Sequence, residues 1–455
     1  MLEQSRVHAL PRRASSFLSL TRSNERQPHS WHILRNKSFR LYFYGSVVSD
    51  FGTWMQNTAQ VLLAYRLAHS ALAVGLVTCA QFSSPLVLGP WAAVMSDRFG
   101  GRRTLLCTQL VSAVISALLA FGEFRGALTE WWLVGGALVS GLAFTFALPA
   151  RNVTVRMLVP PEDTRPAYVM DAVSYNLGRA VAPPLTVVLV TTVGYWWAFA
   201  GNAVTFLIFT LALILARHGA VKEPERRSKI MDGFLIARRD RTIMFLLLMV
   251  AAVTIADDPV LVLGSTLAHH LHASTNWSGW FIAALGGGSV LGSLRRSKHL
   301  PTLPLAATAL VLLGVCMILF VATPWIWVSF AAALGAGVSC LLANSMTRTL
   351  LSKAAGPERV ASVMAVWAIA WAGSKPIASL VDGTLAGLIG VSATGIVLAL
   401  PAFAPFAVLV VLGYRRRRAT QTVAAGRTPV FHGSAVTADD SAVLILDSRT
   451  PATST

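Results

Sequence analysis

Five charged side chains stand where charge is expensive. Asp50, Asp257, Asp258, Arg179 and Lys375 each lie inside a long apolar run. A charge at the centre of a bilayer costs about 2.5–3.5 kcal/mol on insertion scales. Such residues are kept where they face a water-filled cavity or a partner of opposite sign. The chemistry open to them is proton binding and the exchange of ionic partners. A carboxylate that trades water for a neighbouring cation changes its proton affinity. Asp50, Asp257 and Asp258 are therefore candidates for proton coupling. The alternative is a static pairing, Asp50 with Arg179 or Asp258 with Lys375. Arg179 and Lys375 also suit an anionic group on a ligand.

The elements that position these charges follow from composition. The chain has 455 residues, 55% hydrophobic and 13% charged, against about 25% charged in ordinary soluble domains. The charges cluster between apolar runs of roughly 20 residues, the length that crosses a hydrocarbon layer about 30 Å thick. Unpaired backbone groups cannot face lipid, so each run is predicted as a helix. Twelve spans are predicted, near 40–65, 71–95, 104–122, 131–150, 167–193, 195–216, 242–267, 277–294, 302–322, 324–347, 361–386 and 390–413. Apart from Arg66, Arg125, Arg179 and Lys375, all of the 38 Lys and Arg fall in the tails and in the loops on one side. That bias places both termini in the cytoplasm. It also accounts for the net charge of +18 without nucleic acid. The Arg-rich, Ala-rich text points to a high-GC bacterium, hence to its plasma (inner) membrane.

Other chemistry is not expected. Cys79, Cys107, Cys316 and Cys340 lie in apolar runs without a CxxC pair and read as small core residues. His269, His270 and His272 follow span 7 with no i, i+4 carboxylate to frame a metal, and neither metal nor cofactor is predicted. There is no GxxxxGK[ST] loop and no HExxH pair, and no catalytic constellation. Phe17 to Leu20 is too short for a secretory signal.

The spans divide six and six around a basic stretch. Residues 1–38 read as a cytoplasmic tail, 39–216 as one six-helix bundle and 217–241 as a cytoplasmic central loop. Residues 242–414 read as the second bundle, and 415–455 as a disordered cytoplasmic tail. Arg165-Pro-Ala-Tyr-Val-Met170 opens span 5 and Arg359-Val-Ala-Ser-Val-Met364 opens span 11, each after a Pro-Glu pair. That local likeness falls where a duplicated half predicts it. The fold class is thus an all-α membrane protein, with twelve transmembrane helices in two pseudo-symmetric six-helix bundles.

The short gap between spans 2 and 3 carries Asp97-Arg98-Phe99-Gly100-Gly101-Arg102-Arg103. Gly100 and Gly101 permit the turn, the arginines hold it inside, and Asp97 can pair with an Arg. Asp97, Arg98, Gly100 and Arg102 form a candidate gating loop. Asp97-Arg98-Phe99-Gly100 resembles the signature loop of the major facilitator superfamily. The stretches 34–63, 71–90, 148–163 and 172–184 resemble its exporter branch, which includes enterobactin-type siderophore exporters and transmembrane secretion effectors. The likeness runs over about 34–414. The chain departs from the pattern at Ala93, at Gly101, and at Ala182-Pro183-Pro184 where the antiporter signature carries Gly-Pro. The resemblance implies a secondary transporter, a proton-coupled exporter of a small organic molecule that works by rocking its halves.

In such a transporter the cavity lies near the midplane, between the halves. Its candidate lining is Trp54, Gln56 and Asn57 in span 1, Asn176 and Arg179 in span 5, and Trp367, Trp371 and Lys375 in span 11. Trp367 and Trp371 share a helix face. Arg151 and Arg156 are placed at the membrane boundary. The expected partners are a small-molecule substrate, protons or another coupling ion, and the lipid bilayer, with the protein a monomer. An importer, or a transport-inactive receptor or scaffold, is the alternative function.

Overall fold

The computed structural model of the chain describes residues 30–216, 230–274, 276–294, 301–411 and 414. The predicted tail 415–455, residues 1–29 and most of the central loop lie outside the described residues. Every regular element described is helical. Helix α1 (Lys37–Ala68) begins at Asn36, whose side chain accepts hydrogen bonds from the Ser38 and Phe39 amides, as an N-cap should. It ends at His69, in the left-handed conformation that closes helices. Then follow α2 (Ala71–Phe99), α3 (Gly101–Phe124), α4 (Glu130–Leu158), α5 (Thr164–Thr192) and α6 (Tyr195–Leu215).

The later helices are more broken than predicted. After the short α7 (Ile230–Arg239), the span expected at 242–267 comes in three pieces: α8 (Arg241–Asp257), α9 (Pro259–Val262) and α10 (Gly264–His270). Pro259 has no amide to continue the ladder. Helices α11 (Trp277–Leu294) and α12 (Leu303–Ala322) precede α13 (Ile326–Ile389), which breaks at Gly356 (φ 71, ψ 170). Its two arms occupy the places of predicted spans 10 and 11. Helix α14 (Val391–Ala399) passes into a 3-10 turn, Leu400–Ala402, at Pro401. From Phe406 the chain forms a separate unit, helical over 406–411.

Among the described residues, ten helical stretches are long and apolar enough to cross a membrane. Predicted spans 1 and 8, here α1 and α11, are not among them. The reason is their protein-facing residues. Helix α1 buries Ser46, Ser49, Asp50, Gln56, Thr58 and Gln60. Helix α11 carries Gly286, Gly287, Gly288 and Gly292. A Cβ on Gly288 would stand 2.0 Å from the Leu334 carbonyl oxygen, and one on Gly337 would stand 2.0 Å from that of Leu285. Glycine is required there because the two backbones touch.

The helices before residue 216 pack mainly on one another, α1 against α5 and α6, α3 between α4 and α6, and α2 on α4. In the later set, α8, α11 and α12 surround the arms of α13. Two seams join the sets, α2 with α13 and α5 with α11. One end of the molecule, here the tryptophan end, exposes Trp131, Trp132, Trp325 and Trp327, as an interfacial belt would. The opposite, basic end carries the α2–α3 turn.

That turn is tighter than predicted. Helix α2 runs through Phe99 and α3 starts at Gly101, leaving Gly100 alone at φ 86. Gly101 is helical and buried, not a turn residue. A Cβ there would lie 2.6 Å from the Val153 side chain, so this glycine lets α3 close on α4. Of the cysteines read as core, Cys107 is exposed.

Candidate functional site

The predicted partner of Asp50 is not the one observed. Asp50 is buried in α1, and its two oxygens accept hydrogen bonds from Arg151 Nη1 at 2.7 Å and Nη2 at 3.0 Å. The Arg151 Nη2 also donates to Asp171, at 2.9 Å. Ser174 donates to Asp50 and Tyr42 to Asp171. Arg151 therefore sits between two carboxylates, with 13% of its side chain exposed. The expected end of span 4 at residue 150 is not the end of the helix. Helix α4 continues to Leu158, which puts Arg151 inside the fold. Arg179, the expected partner, lies elsewhere.

The second cluster straddles the seam between the sets. Arg179 on α5 reaches Asp257 on α8 at 3.7 Å and stands 5.6 Å above the Trp54 ring. Lys375 on α13 lies 3.8 Å from Asp257 and 3.3 Å from Asp258, and 5.6 Å from the Phe82 ring on α2. Ser379 donates to Asp258 at 2.6 Å. Asp382 lies beside Asp258, and neither of its oxygens has a hydrogen-bond partner. The static Asp258–Lys375 pairing is thus present as geometry. Asp257 accepts from the Cys340 thiol at 3.8 Å, but its contacts to Arg179 and Lys375 are longer than a hydrogen bond, unlike the bidentate Asp50–Arg151 pair. One cluster is closed and the other is loosely held.

Beside the first cluster lies a cavity of about 840 Å³, mouth included, lined by residues of the first helix set and not by Arg179 or Lys375. Trp54, Gln56 and Asn57 line it as predicted from sequence, with Asp50 and Arg151. Gln56 is also structural: its side-chain oxygen accepts from Ser116 and Asn202. Asn57 accepts from Gln81. Sequence reasoning missed Gln81, Gln109 and Asn202, because single amides in an apolar run carry no charge to mark them. Asn176 does not join the cavity lining; its amide donates to Ala172 in its own helix. Trp367 and Trp371 stack on each other, with centroids 6.3 Å apart and planes at 11°, and Arg348 stands 4.8 Å over Trp367. They also lie outside this cavity's lining.

Two of the gating-loop candidates, Arg98 and Arg102, make contacts nearby. Arg102 donates to the carbonyl oxygens of Leu213 at 3.0 Å and Ile214 at 2.9 Å, at the end of α6. A cation there satisfies terminal carbonyls and the helix dipole. Arg98 stacks on its neighbour Phe99 at 5.8 Å. The Asp97 side chain lies outside the described residues. Arg102→Gln is expected to lower stability by about 1 kcal/mol, read by thermal unfolding in detergent. His269, His270 and His272 line a cleft at the tryptophan end.

At that end the sets close on each other. A Cβ on Gly75 (α2) would meet the Ser379 carbonyl oxygen at 2.5 Å and the Gly383 Cα at 3.2 Å (α13). One on Gly279 (α11) would lie 2.0 Å from Val187 (α5). Tyr65 of α1 faces His269 of α10, with ring centroids 6.4 Å apart. Towards the basic end α2 leaves Trp91, Val94, Met95 and Phe99 exposed.

Known proteins share both fold and sequence with this arrangement. The chain resembles a bacterial homologue of the human lysosomal transporter Spinster, crystallised inward-facing and unoccupied, with TM-score 0.63 and 13% identity over 89% of this chain and 100% of that one. It also resembles the nucleoside transporter NupG, with TM-score 0.65 and 10% identity over 81% and 98%. Among curated proteins, it is 21% identical over 220 residues to the Staphyloferrin A transporter of Staphylococcus aureus, covering 47% of this chain and 55% of that protein. It is 24% identical over 193 residues to the putative multidrug resistance protein MdtD of Shigella sonnei, covering 42% and 40%. The matched stretches thus span about half the length of these relatives. The sequence profile of the Major Facilitator Superfamily matches residues 42–379, and the chain belongs to that family of membrane transporters.

Proposed function

We propose that the protein is a secondary active exporter of a small organic molecule, driven by protons through alternating access. On this reading α1 and α11 cross the membrane with the ten apolar stretches, giving twelve helices in two six-helix bundles, 39–216 and 242–414. The basic end and both termini face the cytoplasm of a bacterium, by the distribution of Lys and Arg. The tryptophan end faces outward and is the closed side in this structure. The relative named a putative multidrug resistance protein supports the outward direction.

The observation that carries the reading is the seam cluster. Arg179 of one set and Asp257 of the other are held at ion-pair distance without a hydrogen bond. A partner held so loosely is free to exchange as the sets rock. Across both clusters the carboxylates Asp50, Asp171, Asp257, Asp258 and Asp382 outnumber Arg151, Arg179 and Lys375. Protons supply the missing positive charge, because uncompensated charges are not tolerated in a buried site.

The test is transport in proteoliposomes. Asp257→Asn and Asp50→Asn are each expected to keep substrate counterflow and to lose pH-driven accumulation. Full pH-driven transport in both variants would remove these carboxylates from the coupling.

A further inference from the structure

One acid of the seam cluster has no cation of its own. Asp382 lies on the second arm of α13 and is fully buried. Lys375, Ser379 and Asp382 stand at i, i+4 and i+7 and share one helix face. The first two are engaged: Lys375 lies 3.3 Å from Asp258, and Ser379 donates to Asp258. Neither oxygen of Asp382 has a hydrogen-bond partner, and Asp258 Oδ1 has none either. The charged groups that act on Asp382 are Asp258, Lys375 and Asp257, with Arg179 held against Asp257. Three carboxylates thus meet two cations, and one proton closes the balance. A proton on Asp257 or Asp258 would give up an ion pair with Arg179 or Lys375. A proton on Asp382 gives up none. It turns an acceptor-only group into a donor, with Asp258 beside it to accept.

The burial of Asp382 depends on the seam between the helix sets. Opposite its face, α2 presents Gly75 against the Ser379 carbonyl oxygen, Phe82 against Lys375 and Cys79 near Asp258. Next to Asp382, a Cβ on Gly383 would lie 3.0 Å from the Ala71 carbonyl oxygen and 2.9 Å from the Leu72 Cα. Gly383 therefore meets the start of α2, while Lys375 meets Phe82 further along it. That order puts Asp382 on the tryptophan-end side of Lys375, directly behind the closed contact. We infer that Asp382 holds the coupling proton of the seam cluster, and that this proton enters from the tryptophan end when α2 parts from α13. The proton passes from water at that end to an Asp382 oxygen, and the cluster gains one positive charge. The inference rests on the transport reading and names the residue and the route.

Infrared difference spectroscopy of the full chain in lipid nanodiscs at neutral pH tests this without substrate or gradient. The parent-minus-Asp382→Asn spectrum is expected to show the C=O stretch of a protonated carboxyl. The asparagine keeps the shape and can still donate to Asp258, so the variant should unfold at the parent's temperature. In Gly75→Val, which forces the seam apart, the same band should shift in heavy water faster than in the parent. In proteoliposomes Asp382→Asn should keep substrate counterflow and lose pH-driven accumulation. A difference spectrum showing ionised carboxylate bands instead, or a large drop in unfolding temperature, would mark Asp382 as a charged partner of Lys375 and overturn the proton site. Exchange no faster in Gly75→Val would overturn the route. The band as described in a chain that moves no solute would refute transport alone. Full pH-driven accumulation in Asp382→Asn would refute only the proton site.

Discussion

Removing Arg151 is expected to damage the protein more than removing either acid it holds. Arg151→Met leaves Asp50 and Asp171 buried with their shared cation gone, and only Ser174 and Tyr42 as donors. Truncating one partner of a buried pair costs about 3–5 kcal/mol, because the charge left behind is uncompensated. The whole stability of a domain is about 5–15 kcal/mol, so the variant should unfold at a markedly lower temperature and transport poorly. Adding Asp50→Asn to Arg151→Met removes one stranded charge and should recover more than half of the loss. Thermal unfolding in detergent reads both. An Arg151→Met protein as stable as the parent would mean that the three-residue bridge is not a structural joint.

The second large effect is expected at the tryptophan end. Gly75 and Gly383 face each other across the α2–α13 seam, where a Cβ on Gly383 would lie 2.9 Å from the Leu72 Cα and 3.4 Å from the Gly75 Cα. The contact is backbone to backbone, so no side-chain rotation relieves it. Gly75→Val therefore opposes closure of this end without replacing a charged residue, and it presses on the backbone of Ser379, whose hydroxyl donates to Asp258. Overpacking costs about 1–3 kcal/mol. In a two-state protein that shifts the balance away from the closed form by about 5- to 150-fold. Net transport should fall accordingly while the fold survives, since each helix set keeps its own core. The readout is alkylation of a cysteine placed at Leu72, in a background without the native cysteines. Its accessibility from the tryptophan end should rise. Unchanged accessibility with normal transport would show that the seam is not a gate.

The legible parts of the molecule were those written in charge and in hydrophobic length. Long apolar runs marked the helices, and the Asn36 and Ser70 caps agree with where α1 and α2 start. Span 7 was less legible, because its continuity depends on how the chain accommodates Pro259 next to two buried acids. The charged site residues Asp257, Asp258, Arg179 and Lys375 were found by their cost, and the structure brings them together. Their pairing was only half readable. Lys375 reaches Asp258 from one helical set, but Asp50 chose Arg151 over Arg179. Sequence spacing fixes which residues share a helix face, not which helices become neighbours. The amides and the tyrosine that complete the site, Gln81, Asn202 and Tyr42, were invisible for a different reason. A neutral polar residue in a membrane helix bonds its own backbone as readily as a neighbour, as Asn176 does.

The central claim is that the two helix sets swing against each other, closing one end as the other opens. Spin labels at Trp131 and Trp325 report the tryptophan end, and labels at Phe99 and Lys353 report the basic end; all four positions are exposed. Pulsed electron–electron distance measurements in liposomes, on the parent chain and on Gly75→Val, test the claim most directly. Opposite changes are expected: in the variant the first distance lengthens and the second shortens. Distances that stay fixed, or lengthen together, would contradict it.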